Sequence, residues 1–222
     1  MENIVVIGAM AGEIKPLIEL LGARKTRNGD WSKGNIKICH SGVAKVNAAI
    51  TAQRAIDTYK PKFILNIGIS GALDPSLKIG EIVVCGAFSY HDVAPDEIFA
   101  NHPTLGGERK ADEKLAEKAL AACKTLGFLY RTGKAVSGDQ IIFDANHAKK
   151  LFEKGGTVVD MESGALSHTC LVNQVPFCAV RAVSDFADEN ALSEMERQEH
   201  ILAVKLARVA MEMLYESRIT IK

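Results

Sequence analysis

Short apolar runs alternate with longer segments of helical period along nearly the whole chain, and that alternation restricts it to an α/β fold. Asn3–Gly8 (NIVVIG) is a β-branched run closed by glycine, and a helical segment follows to about Gly22 with Pro16 in its early turns, where a missing N–H costs least. From about Ala23 to Ser41 the turn signals Asn28-Gly29-Asp30 and Lys33-Gly34-Asn35 predict a β-hairpin. Val43–Tyr59 is helical in pattern and limited by Pro61. Strands are expected at Lys62–Gly68, Glu81–Tyr90, Arg131–Val136, Thr157–Met161 and Pro176–Ser184. Helices are expected at Ala111–Leu126, Asp144–Lys154, Ser163–Asn173 and about Glu194–Glu216. The last sets Leu202, Leu206, Val209 and Met213 against Lys205, Arg208 and Glu212, the pattern of a surface helix packed on a sheet. Residues 92–110, with two prolines and two glycines, read as one long irregular loop. No repeat or linker divides the chain, so residues 1–222 read as a single domain.

Charge and composition narrow the partners. The 222 residues carry 27 Lys+Arg against 27 Asp+Glu, and no run of five like charges occurs. That balance argues against nucleic acid or an anionic membrane as partner, since both demand a basic excess or stripe. No apolar stretch approaches the ~20 residues of a membrane span. The start MENIVVIGAM lacks a basic segment and a cleavage site, so it reads as a first strand and not as a signal peptide. Five scattered cysteines without a C-x-x-C pair offer neither a zinc site nor a redox motif, and unpaired thiols suit a reducing, cytoplasmic setting.

In open α/β sheets ligands bind beyond the carboxyl ends of the strands. The polar residues just after each apolar run are therefore the candidates: Gly8–Glu13, Asn66–Ala72, Val136–Asp139, Val159–Ser163 and Arg181–Asp185. Several carboxylates at strand tips make an acidic cleft and not a phosphate cradle. Each also has a plainer use. Glu13 in a first helical turn suits the helix dipole, Glu162 and Asp185 suit helix caps, and Gly68 and Gly71 suit tight turns. G-x-G-x-x-G, G-x-x-x-x-G-K-[ST] and G-x-S-x-G are all absent, which weakens dinucleotide, nucleoside-triphosphate and serine-hydrolase readings.

Taken together, IGAMxxE at Ile7–Glu13, SGVAKVNAA at Ser41–Ala49, NIGISGAL at Asn66–Leu73, VSGDQII at Val136–Ile142, VDMESGA at Val159–Ala165 and VRAVSDFAD at Val180–Asp188 resemble the 5′-methylthioadenosine/S-adenosylhomocysteine nucleosidases of the purine nucleoside phosphorylase/hydrolase superfamily. The likeness covers nearly the whole chain in order. It implies a three-layer αβα sandwich around a mixed, partly closed sheet. It also implies a homodimer whose site borrows apolar residues from the partner, and a reaction needing neither metal nor organic cofactor. The implied reaction is hydrolysis of the N-glycosidic bond of a 5′-thioadenosine, such as 5′-methylthioadenosine or S-adenosylhomocysteine, or of 5′-deoxyadenosine, releasing adenine.

By that resemblance Asp185 is the general acid at adenine N7 with Ser184 beside it, and Glu13 activates the water. A free Asp titrates at about 3.9, so burial or hydrogen bonding must raise an acid that works near neutral pH. Glu162 takes the ribose hydroxyls, Met161 packs on the sugar, and Arg181 orients the carboxylate or water. Ile141 stacks on the base and Ile142 reads its edge, while Met10 and Val43 stand nearby. Ile69 replaces a small hydroxyl residue, and Ala11-Gly12 a more acidic pair. Residues 92–110 and 188–198 match the family poorly and leave the 5′ substituent open, a futalosine-like group included. Apolar Met10, Val43 and Phe186 favour a thioether or alkyl group over a 5′-phosphate. The alternative within this fold is a phosphorylase, which needs arginines for phosphate. Glu13 and Asn66 stand in the corresponding places and suit water.

Overall fold

The computed structural model describes residues 2–93 and 107–219, so that much of the loop expected at 92–110 lies outside the described residues. The strands in chain order are β1 (Ile4–Gly8), β2 (Arg24–Lys25), β3 (Trp31–Lys33), β4 (Ile36–His40), β5 (Phe63–Ala72), β6 (Ile82–Tyr90), β7 (Arg109–Lys110), β8 (Tyr130–Ser137), β9 (Val158–Asp160) and β10 (Phe177–Asp185). The helices are α1 (Ala11–Leu21), α2 (Lys45–Tyr59), α3 (Glu113–Thr125), α4 (Ala145–Glu153), α5 (Ser163–Val172) and α6 (Ala191–Ile219). β7 falls inside the expected loop, where Arg109 and Lys110 pair with Phe88 and Ala87.

The sheet is mixed and partly closed. Its first part is an open wing in which β1 lies parallel between β4 and β5, with the predicted hairpin continuing outward as β4-β3-β2. The second part is a ring, β5-β10-β6-β8-β9 and back to β5. β5 makes the closure possible because it is longer than expected. Its first half pairs with β1, its far end pairs with β9 (Gly71 opposite Val159), and its other edge follows β10 from Ile64 to Gly71. Asn66–Ala72 therefore lies within a strand, and not beyond one as the sequence suggested. Every residue of β5 is buried, which its apolar and small side chains allow.

Successive side chains along the strands serve two layers. Val6, Leu65, Ile67 and Val180 face α1, α3 and α6, whereas Val5, Ile7, Ile64 and Ala179 face α2 and α5. The result is the αβα sandwich. Local signals set the helix ends: α1 stops at Gly22 with φ 58°, while Asp112 and Asp144 cap α3 and α4 through the N–H groups of Leu115 and His147. Pro16 stands in the second turn of α1 and not the first, so the Gly12 carbonyl loses its helical donor. α2 begins at Lys45 and not Val43, because Ala44 has φ 84° and ψ 161° and is not helical. α6 begins three residues earlier than its hydrophobic period indicated, with Asp188 accepting from the N–H of Asn190 and of Ala191. Among the described residues no helix is long and apolar enough to cross a membrane.

Candidate active site

Register gathers the polar positions. Gly71 lies opposite both Val159 and Asp185, and Ser137 lies opposite Asp160, so the ends of β5, β8, β9 and β10 meet. With the turn after β1 and the first turn of α6, they surround a cleft that opens to solvent.

Glu13 is the third residue of α1, and burial leaves it 3% exposed. Its Oε2 accepts from the N–H groups of Ala9 and Met10 at 2.8 and 2.9 Å, and its Oε1 accepts from the Ile69 N–H at 2.9 Å. The helix-start role and the cleft position thus belong to one side chain. Burial raises its pKa, opposed by these three donors and by the charge of Arg181. Gly68 makes the approach possible. A Cβ there would lie 2.7 Å from Glu13 Oε1 and 3.0 Å from an Arg181 Nη, so Gly68 serves close packing and not a turn.

Arg181 is fully buried on β10 beneath the cleft and does not line it. Its Nε and one Nη reach Asp160 Oδ2 at 2.7 Å, and the same Nη donates to Asn66 Oδ1. Asn66 in turn donates to the Ile7 carbonyl at 2.9 Å. Asp160 Oδ1 accepts from the Ser137 hydroxyl and from the N–H groups of Glu162 and Ser163. Burial alone would raise Asp160, but Arg181, Ser137 and Ser163 outweigh it and hold the carboxyl below its usual range. Two residues on, Glu162 feels the Arg181 charge without an ion pair among the described residues. Burial and the charge of Asp160 push it up to about 8, against the Ala44 N–H that donates to its Oε1 at 2.9 Å. Glu162 occupies the N-cap position of α5, yet its side chain makes no capping bond and turns into the cleft.

Asp185 ends β10. Its Oδ2 accepts from the Ser184 hydroxyl at 2.6 Å and its Oδ1 from the Ala187 N–H at 2.9 Å, so it closes a local turn and caps no helix. Burial raises its pKa, with Ser184 and Ala187 opposing and Asp188 adding to the rise. Gly71 again leaves the room, since a Cβ there would stand 2.9 Å from Asp185 Oδ1.

The structure brings Met10, Glu13, Val43, Ile69, Ile141, Ile142, Met161, Glu162, Ser184 and Asp185 to this one cleft. Arg181 stays below it, and Phe186 is exposed outside it. Asp160, Ser70 and Gln140, which lay within the candidate segments and motifs without a role of their own, also line the wall, as do Ala191, Leu192 and Met195 from the stretch 188–198 expected at the 5′ pocket. Asp160 was visible as the acidic residue beside Met161, but only the fold reveals its pairing with an arginine 21 positions away. No Lys or Arg lines the cleft among the described residues.

Residues 3–217 match the model of the Phosphorylase superfamily. The chain is 32% identical over 200 residues to the 5′-methylthioadenosine/S-adenosylhomocysteine nucleosidase of Staphylococcus haemolyticus, covering 84% of this chain and 87% of that one. The nucleosidase of the same name from Neisseria meningitidis, solved in complex with methylthio-immucillin-A, superposes with a TM-score of 0.88 at 28% identity, over 96% of this chain and 99% of that one. The futalosine hydrolase of Helicobacter pylori superposes with a TM-score of 0.87 at 26% identity, over 97% and 98%.

Proposed function

The chain belongs to the phosphorylase superfamily and, within it, to the 5′-methylthioadenosine/S-adenosylhomocysteine nucleosidases, which are N-glycosyl hydrolases; on that premise we propose that it cleaves 5′-thioadenosines to adenine and the 5′-substituted ribose. The observation that carries this reading is the convergence of Glu13, Glu162 and Asp185 on a cleft that no Lys or Arg lines among the described residues. Breaking the N9–C1′ bond leaves electron density on adenine and positive charge on the ribosyl carbon. Asp185, kept protonatable by burial, donates a proton to N7 as the bond breaks, and the Ser184 hydroxyl orients it. Glu13, fixed by three backbone amides, accepts a proton from the water that attacks C1′ on the opposite face. Glu162 accepts hydrogen bonds from the ribose hydroxyls. An acid and a base flanking the bond with water between them is the inverting pattern of glycoside hydrolysis. Both proton transfers use side chains of this chain and require no cofactor.

Phosphate is a poor co-substrate here, because it would meet Glu13 and Glu162 with no lining Arg or Lys among the described residues to neutralise it. At the 5′ side Met10, Val43, Leu192 and Met195 form an apolar wall suited to a thioether. The likeness to a futalosine hydrolase keeps a bulkier 5′ group as the second reading. The resemblance also implies a homodimer. Val43 just before α2, and Val46 and Ile50 four apart on its first turns, support it, since all three are exposed apolar side chains and Val43 belongs to the cleft wall as well.

The test follows free adenine from 5′-methylthioadenosine, S-adenosylhomocysteine, 5′-deoxyadenosine and a futalosine, with and without phosphate. Release from the thioadenosines in phosphate-free buffer is expected. A reaction that stalls without phosphate contradicts the hydrolytic reading, and turnover confined to the futalosine contradicts the substrate.

A further inference from the structure

Among the described residues four other than glycine have positive φ, and they fall into two pairs. Lys60 ends α2 and Gln174 follows the end of α5, where left-handed residues are ordinary. Ala44 and Ala187 stand elsewhere, and each donates its backbone N–H to a cleft carboxylate: Ala44 to Glu162, Ala187 to Asp185. Ala44 is the more strained. Its φ of 84° with ψ of 161° lies where side-chain-bearing residues are rarely found, and such conformations persist only where surrounding bonds over-determine them. Here they do. The Ala44 carbonyl accepts the first helical bond of α2, from Ala48 at 3.0 Å. The Lys45 N–H donates to Asp139 Oδ1 at 2.8 Å, and the Lys45 ammonium reaches Asp92 at 2.6 Å. Asp92 also accepts from the Asp139 N–H at 2.8 Å, so the start of α2 is tied to the loop that carries Gln140–Ile142. Among the described residues no hydrogen bond other than Ala44's is made to the Glu162 side chain.

We propose that Ala44 is a positioning residue whose strained backbone aims its N–H at Glu162 and holds that carboxylate, one oxygen occupied and the other free, in the orientation that receives the sugar hydroxyls. The role of Glu162 rests on the proposed function; the clamp itself rests on the backbone. The N–H is a donor to the ionised carboxylate, so it favours the form of Glu162 that accepts hydroxyl protons. A β-branched residue tolerates positive φ less well than alanine, so it would drive φ negative and turn the N–H away.

Two substitutions separate positioning from general damage. Ala44→Gly retains the N–H and removes the strain, so kcat/KM for a 5′-thioadenosine stays within 3-fold of the parent while Tm rises by about 3 °C. Ala44→Val loses the N–H, and kcat/KM falls about 10–100-fold. In an E162Q background the same valine costs less than 3-fold, because it acts through Glu162. A glycine variant that loses as much as the valine variant overturns the proposal, as do losses that multiply in the double variant. If Ala44→Val does not fold, the glycine arm decides: a lower Tm, or a kcat/KM loss beyond 3-fold, overturns the clamp. If the parent releases no adenine from any nucleoside, the proposed function fails. The clamp is then judged by thermal unfolding alone, Ala44→Gly still being required to raise Tm.

Discussion

Glu13 and Asp185 line the same cleft and differ in kind. Both are buried, and burial raises both. Their partners differ. Three backbone N–H groups point at Glu13 and the Arg181 charge lies behind it, all of which favour the ionised form. Asp185 has one backbone N–H and one serine hydroxyl, and the neighbouring charge that acts on it is that of Asp188, which favours protonation. A hydroxyl also adapts. Ser184 can donate to an ionised carboxylate or turn to accept from a protonated one, which a backbone amide cannot do. Under the proposed function, these surroundings suit two carboxyl groups of similar burial to different roles, Glu13 to that of base and Asp185 to that of acid.

The largest expected effect comes from breaking the acid side. Asp185→Asn should lower kcat for adenine release by about 10³–10⁴ with the fold retained, as read by steady-state kinetics and circular dichroism. Breaking the base side should cost less: Glu13→Gln is expected to lower kcat by about 10²–10³ and to leave inhibitor binding within a few-fold, measured by calorimetry. Smaller still, Gly68→Ala and Gly71→Ala push a methyl toward Glu13 and Asp185 respectively. Each should lower kcat/KM by about 10-fold or more through misplacement. Gly68→Ala should shift the acidic limb of the pH profile, which follows Glu13, and Gly71→Ala the basic limb, which follows Asp185.

The smallest effect is on stability. A carboxyl raised by burial stabilises the fold fully below its ordinary value, and that contribution is lost as pH rises through the raised value. Asp185→Asn should therefore raise Tm at pH 8 by about 2–4 °C and leave it unchanged near pH 3. Scanning calorimetry at the two pH values checks it, and a gain larger at pH 3 would contradict the assignment.

Much of this arrangement was legible in the chain because its signals are local. Gly22, Asp112 and Asp144 mark helix ends within a turn, and β-branched runs mark β1, β6 and β10. The motifs that carry Glu13, Glu162 and Asp185 also sit where strand tips predict a site. What was not legible depends on pairing over distance. β5 looked finished at Gly68, since nothing near Ser70 or Gly71 announces that β9 and β10 will pair with them. Arg181 looked like a residue of the cleft until its ion pair with Asp160 drew it beneath the floor. The early start of α6 was hidden because its first residues, Ala191 and Leu192, line the cleft and lie outside the core cluster of Leu202, Leu206, Val209 and Met213 that sets the helix period.

The division of labour between Asp185 and Glu13 is tested most directly with a leaving group that needs no proton. From the 4-nitrophenyl glycoside of 5-methylthioribose, 4-nitrophenolate departs as a stable anion while water captures C1′, so only the water-activating carboxylate should matter. Asp185→Asn is then expected to cleave it within about 10-fold of the parent enzyme, while Glu13→Gln remains slowed by about 10²-fold or more. An Asp185→Asn variant as crippled on this substrate as on the thioadenosine would contradict the account, and so would full activity in Glu13→Gln.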